Sequence, residues 1–158
     1  MKIIIALSIL FSFNIFAKRK TLKPSQKDQI VKVLEENEKL HAAFFDYSKE
    51  KVLKEARTLE SMVKKVSNKE LSNILEKIKG GLKKINKTSS REENNEAYAV
   101  VSANLVYIVN TYDVGEKYNS YSCPMVKKKW VQNSKKMKRV HNPYAPEMPH
   151  CGQRDSDF

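Results

Sequence analysis

An all-α fold, a bundle of about four helices carrying an irregular Cys- and Pro-rich C-terminal segment, is predicted from three features of the chain. Apolar residues return at spacings of three and four in four successive stretches, the pattern of helices that each bury one face. Capping residue types or glycines separate those stretches. The single tryptophan, both cysteines and four of the five prolines are confined to the last third.

Ser25 opens the first helix after a short basic lead-in that contains Pro24. Ile30, Val33 and Leu34, then Leu40, Ala43, Phe44 and Tyr47, mark its buried face. Asn37 falls on that stripe and is expected at its rim, and His41 is expected on the helix surface. Asp46 to Ser48 interrupt the pattern with capping residue types. Val52, Ala56, Leu59, Val63 and Val66 then define a second helix, which the short connection makes an antiparallel neighbour of the first. Ser67-Asn68-Lys69-Glu70 has the form of a capping box, ahead of a third stripe of Leu71, Ile74, Leu75, Ile78, Leu82 and Ile85. Gly80-Gly81 sits inside that stripe. Each glycine costs about 1 kcal/mol relative to alanine in a helix interior, so a bend, a close helix contact or a cap at Gly80 is expected.

Asn86 to Ser90 reads as a turn, and Ser90-Arg91-Glu92-Glu93 offers a second capping box. Ala97, Val101, Leu105, Ile108 and Tyr112, widened by Val100, Val106 and Val109, predict a central helix packed on more than one side. Ser102, Asn104 and Asn110 interrupt it too often for a membrane span. Gly115 is a plausible helix stop. Pro143, Pro146 and Pro149, at every third place, favour extended or turn backbone. The domain organisation expected is a signal peptide over 1–17, a helical bundle over 25–115, a Cys/Met/Pro-rich segment of the same domain over 116–152, and a flexible tail over 153–158.

The signal-peptide reading rests on Lys2, the apolar run Ile3 to Phe16 and the small residue Ala17, followed at once by Lys18-Arg19-Lys20. It implies a periplasmic or secreted protein that keeps no transmembrane anchor after processing. Removing one lysine from a formal charge of +12 leaves the chain strongly basic. That balance favours anionic partners, although lysines spread along every helix read first as solvated faces. Export argues against nucleic acid. In an oxidising compartment an even pair of cysteines reads as a disulfide, Cys123 with Cys151.

The same segment carries soft donors. Cys123 with Met125, and Met148 with Cys151, place two sulfur ligands within two or three positions of each other, and thiolates and thioethers select monovalent copper. His150 and His141 add imidazoles, and the face of Trp130 could cover a cation. If the cysteines are bridged instead, Met125 and Met148 become core fillers and Trp130 a buried anchor. No phosphate-cradling glycine loop, GxSxG, HExxH or CxxC occurs, and no enzyme is expected.

Tyr121-Ser122-Cys123-Pro124-Met125, Trp130-Val131-Gln132, Asn142-Pro143-Tyr144, Met148 and Cys151-Gly152 resemble, in this order, the signature of the family called domain of unknown function 3347. The resemblance implies a small exported helical domain found alone or joined to adaptors of heavy-metal efflux systems. It implies copper or a related metal at Cys123, Met125, Met148 and Cys151, with efflux components or another envelope protein as partners. Asn142, Pro143, Tyr144 and Trp130 are expected as structural anchors. The competing expectation is a disulfide-stapled interaction module that meets an envelope protein or an anionic surface.

Overall fold

The computed structural model describes residues 18–158. The residues read as a signal peptide lie outside that range. Four helices, α1 (Pro24–Phe45), α2 (Lys49–Lys64), α3 (Ser72–Lys84) and α4 (Arg91–Thr111), are followed by β1 (Tyr118–Cys123), β2 (Lys128–Asn133) and β3 (Gln153–Arg154). The strands form one antiparallel sheet in the order β2-β1-β3. The chain is therefore mostly helical but not all-α, and the segment expected to be irregular carries a sheet. No helix of the described residues is long and apolar enough to cross a membrane.

Consecutive helices pack on one another, and α4 lies between α3 and the sheet. Leu105, Ile108 and Val109 are fully buried there, whereas Val100 is exposed and does not widen the buried face. Ser90 and Glu93 form the capping box that starts α4. Ser67 to Glu70 do not form one. There the chain makes a turn in which Asn68 Oδ1 accepts from the N–H groups of Glu70 and Leu71, while the Glu70 carboxylate is taken by Lys20. Pro24, rather than Ser25, is the first residue of α1, a position that needs no N–H donor. The last helix stops at Thr111, and Gly115, at φ +90°, belongs to the turn that leads into β1.

Gly80 and Gly81 leave α3 unbroken. A Cβ at Gly81 would stand 2.8 Å from Val101 Cγ2 and 3.1 Å from the Ala97 carbonyl, so α3 and α4 approach through this residue. Gly80 faces open space.

Two polar residues of α1 are more deeply placed than the sequence suggests. Asn37 is buried and accepts a 3.3 Å hydrogen bond from the Tyr98 hydroxyl, tying α1 to α4 instead of lying at a rim. His41 is buried as well, not on the surface, and neither ring nitrogen has a hydrogen-bond partner. Burial, followed by the nearby His141, brings its pKa from 6.5 down to about 4, against smaller opposing effects of the His141 backbone and Glu38.

The residues after β2 and the C-terminal residues are also fixed. The half-buried Glu38 carboxylate on α1 accepts from the Tyr118 hydroxyl, from Asn133 Nδ2 at 2.8 Å and from Lys136 Nζ at 2.8 Å, clamping the hairpin to the bundle. The stretch expected to be a flexible tail is paired instead. Asp155 N–H donates to the Ser120 carbonyl at 2.8 Å, Phe158 N–H to Asn119 Oδ1 at 2.9 Å, and the Arg19 guanidinium lies 3.7 Å over the Phe158 ring.

Gly80→Ala should leave stability unchanged or raise it by up to about 1 kcal/mol. Gly81→Ala should fall below it by about 1 to 3 kcal/mol through overpacking against Val101, as read from urea midpoints. His41 generates a pH dependence. Its folded pKa is depressed, so between about 6.5 and 4 the unfolded chain binds more protons. Stability should be complete above that window and decline by on the order of 3 kcal/mol as pH falls through it. His41→Leu should remove this slope, seen by comparing urea midpoints at several pH values.

Candidate functional site

β1 is the central strand, and its last residue, Cys123, is only 1% exposed. Four residues turn the chain into β2, with Lys127 at φ 53° closing the turn. β2 carries Trp130, fully buried, with the Tyr121 ring stacked on it at 6.1 Å and Tyr144 edge-on at 6.4 Å. With its faces covered by protein, this indole is a packing anchor and does not serve a cation.

The chain then returns to β1 through the proline-rich segment. Asn142 organises this return. Its N–H donates to the Pro149 carbonyl at 2.8 Å, its Oδ1 accepts from Tyr144 N–H at 2.9 Å, and its Nδ2 donates to the Cys151 carbonyl at 2.9 Å. Cys151 N–H donates to the Met148 carbonyl at 2.9 Å, so the prolines build turns closed by backbone hydrogen bonds. The Tyr144 hydroxyl donates to Ser102 Oγ on α4 at 2.9 Å, which anchors the segment to the bundle.

Gly152 completes the approach. Its φ of +143° disfavours an L side chain, and a Cβ would stand 2.7 Å from the Ser122 carbonyl and 2.8 Å from Trp130 Cη2. The backbone crosses the indole at this point and enters β3, and this brings Cys151 Sγ to 2.9 Å from Cys123 Sγ across 28 positions of sequence. The two sulfur-bearing ends of the segment meet, as both sequence expectations require.

The pair is chemically unequal. Burial pushes the Cys123 thiol up, but the Cys151 thiol, the backbone N–H groups of Val126 and Met125 and the Asn142 side chain outweigh burial and hold Cys123 below its ordinary value. The Cys123 sulfur, with burial adding to it, holds Cys151 above its own. Of the two, the hidden sulfur is thus the more acidic and the half-buried one the less.

Met125 is 68% exposed and Met148 42% exposed, so neither fills the core as the bridged reading supposed. His150 is exposed, with Nδ1 at 2.7 Å from the Val140 carbonyl. Donation of Nδ1–H to that carbonyl leaves Nε2 with its lone pair, the orientation that metal-binding histidines take. His141 stacks on Phe45 at 4.4 Å and lies 5.9 Å from the His150 ring; burial and then His150 keep it below its ordinary pKa.

Two thiols, two exposed thioethers and one imidazole of fixed tautomer suit a soft ion. Their spacing does not yet match a chelate. Sulfurs each about 2.3 Å from one tetrahedral ion stand roughly 3.8 Å apart, so binding requires the pair to open by about an ångström. Among the described residues no group of three or more His, Cys, Asp or Glu is arranged to hold a metal, and any such site draws on the methionines.

No family model matches the chain, and no curated protein or solved structure does so either.

One organising residue carried no role in the sequence reading. Gln132 accepts from His141 N–H at 3.0 Å and from Trp130 Nε1 at 3.4 Å, and its amide donates to the carbonyls of Met137 and Arg139 at 3.0 and 2.7 Å. It is buried, and its place in the Trp130-Val131-Gln132 run was the signal that the sequence offered.

Gly152→Ala should cost about 2 to 4 kcal/mol through backbone strain and the clash with Trp130. It should also slow air oxidation of the cysteine pair, measured by urea denaturation together with a time course of free-thiol content.

Proposed function

We propose that this is an exported accessory protein that binds monovalent copper or a similar soft metal for handling or efflux, using the reduced Cys123 and Cys151 with Met125, Met148 and His150. The observation that carries this reading is the meeting of two thiols at the end of the central strand, with both thioethers nearest to them in sequence left facing solvent. Exposed methionines have no packing reason to be there, whereas thioethers two or three positions from each thiol can close around an ion. Efflux components or another envelope protein are the partners that such a role implies.

A second reading is favoured by the 2.9 Å separation of the sulfurs, which is short for a chelate. In it the pair closes as a disulfide and the chain acts as a stapled interaction module whose basic faces meet an envelope protein or anionic surface. Closing this loop stabilises the fold by about 3 to 4 kcal/mol on the chain-entropy model. The two readings describe two redox states of one site, the bridged form storing what the reduced form uses.

Intact mass before and after reduction and alkylation should show the cysteines joined in protein purified in air. Anaerobic titration of reduced protein with silver or cuprous ion should saturate at one equivalent. Cys123→Ser and Cys151→Ser should each weaken binding by at least tenfold, and the double variant Met125→Leu/Met148→Leu by a smaller factor. Reduced protein that takes up neither ion would remove the metal reading and leave the staple.

A further inference from the structure

We propose that the bridged form is opened from outside by attack on the Cys151 sulfur, with Cys123 as the departing sulfur, by a dithiol reductant. This rests on the reading above that the pair cycles between a disulfide and an open dithiol. The two sulfurs differ in access. Cys123 is 1% exposed, at the end of a strand bordered by β2 and by the approach to β3. Cys151 lies in the turn ahead of β3, half-buried, directly after the exposed His150. An attacking thiolate must come in line with the sulfur–sulfur bond, and only the Cys151 end of that bond meets solvent.

Departure of the Cys123 sulfur leaves the corner intact. The Asn142 amide holds the Cys151 carbonyl at 2.9 Å, so the return segment stays in place when the bond breaks. In the first step the reductant's thiolate forms a bond to Cys151 Sγ, the bond between the protein sulfurs breaks, and its electron pair leaves on Cys123. In the second step the reductant's other thiol, having lost its proton, attacks the reductant sulfur of the mixed disulfide and releases Cys151. Two protons pass through solvent to the two cysteines. The protein disulfide gains two electrons and the reductant dithiol loses two.

The full chain, oxidised in air, can be tested with glutathione as a monothiol probe that halts at the mixed disulfide. After a brief reaction, acid quench and maleimide blocking of free thiols, tryptic peptides 118–127 and 140–154 separate the two cysteines. Glutathione should be found on Cys151, with maleimide on Cys123, in at least tenfold excess over the reverse. Glutathione on Cys123, an even split, or two free thiols in the air-oxidised protein would overturn the proposal. No metal enters this measurement, so its failure is distinct from a failure of the silver or copper titration.

Discussion

The crossing of the backbone at Gly152 over the Trp130 ring is the constraint on which the last third of the structure depends. The indole is enclosed by Tyr121 and Tyr144 and cannot move aside, and the Ser122 carbonyl limits the approach from the strand. Only a residue without a side chain fits between them. Once the chain passes there, the alignment of Tyr121 with Arg154 and of Ser122 with Gln153 follows. The position of Cys151 beside Cys123 is therefore a result of strand register rather than of any attraction between sulfurs.

This corner is built into the helices through aromatic rings. Trp130 meets Tyr144, Tyr144 meets Tyr98 at 5.7 Å, and Tyr98 stacks on Phe44 at 4.4 Å. The two tyrosine hydroxyls end on Ser102 and Asn37, so the row buries its polar tips against partners. Cys123 and Cys151 stand on a rigid base at one end of this row. Met125, Met148 and His150 stand outside it, where side chains can adjust without disturbing the core.

The helices were legible because each buries apolar residues at spacings of three and four, in a stripe that widens in α4, and the Ser90 capping box because it depends on neighbours three residues apart. The sheet was not. β1 is buried on nearly all of its positions although Asn119, Ser120 and Ser122 are polar, so it shows neither an apolar run nor an alternating pattern. The Ser120 N–H and Asn119 Oδ1 are met by Ser156 and Phe158, C-terminal residues that look like an unstructured tail when read alone. His41 and Asn37 were misplaced for a related reason. Their burial is created by α4 and by the return segment, and helix periodicity cannot register partners that are sixty or a hundred positions away. The meeting of Cys123 and Cys151 was anticipated from their chemistry, but the glycine that enforces it and the glutamine that holds the return segment were not.

Among the described residues, β2 has a strand neighbour on only one side. An open strand border is a template on which a second copy can add its own strand. Lys127 precedes this border, Lys129 lies within it and Lys135 follows it, all exposed. Two copies brought border to border would have to press these ammonium groups together and strip them of water. The surplus of positive charge thus acts as a guard against ribbon-like self-association, whatever else it attracts.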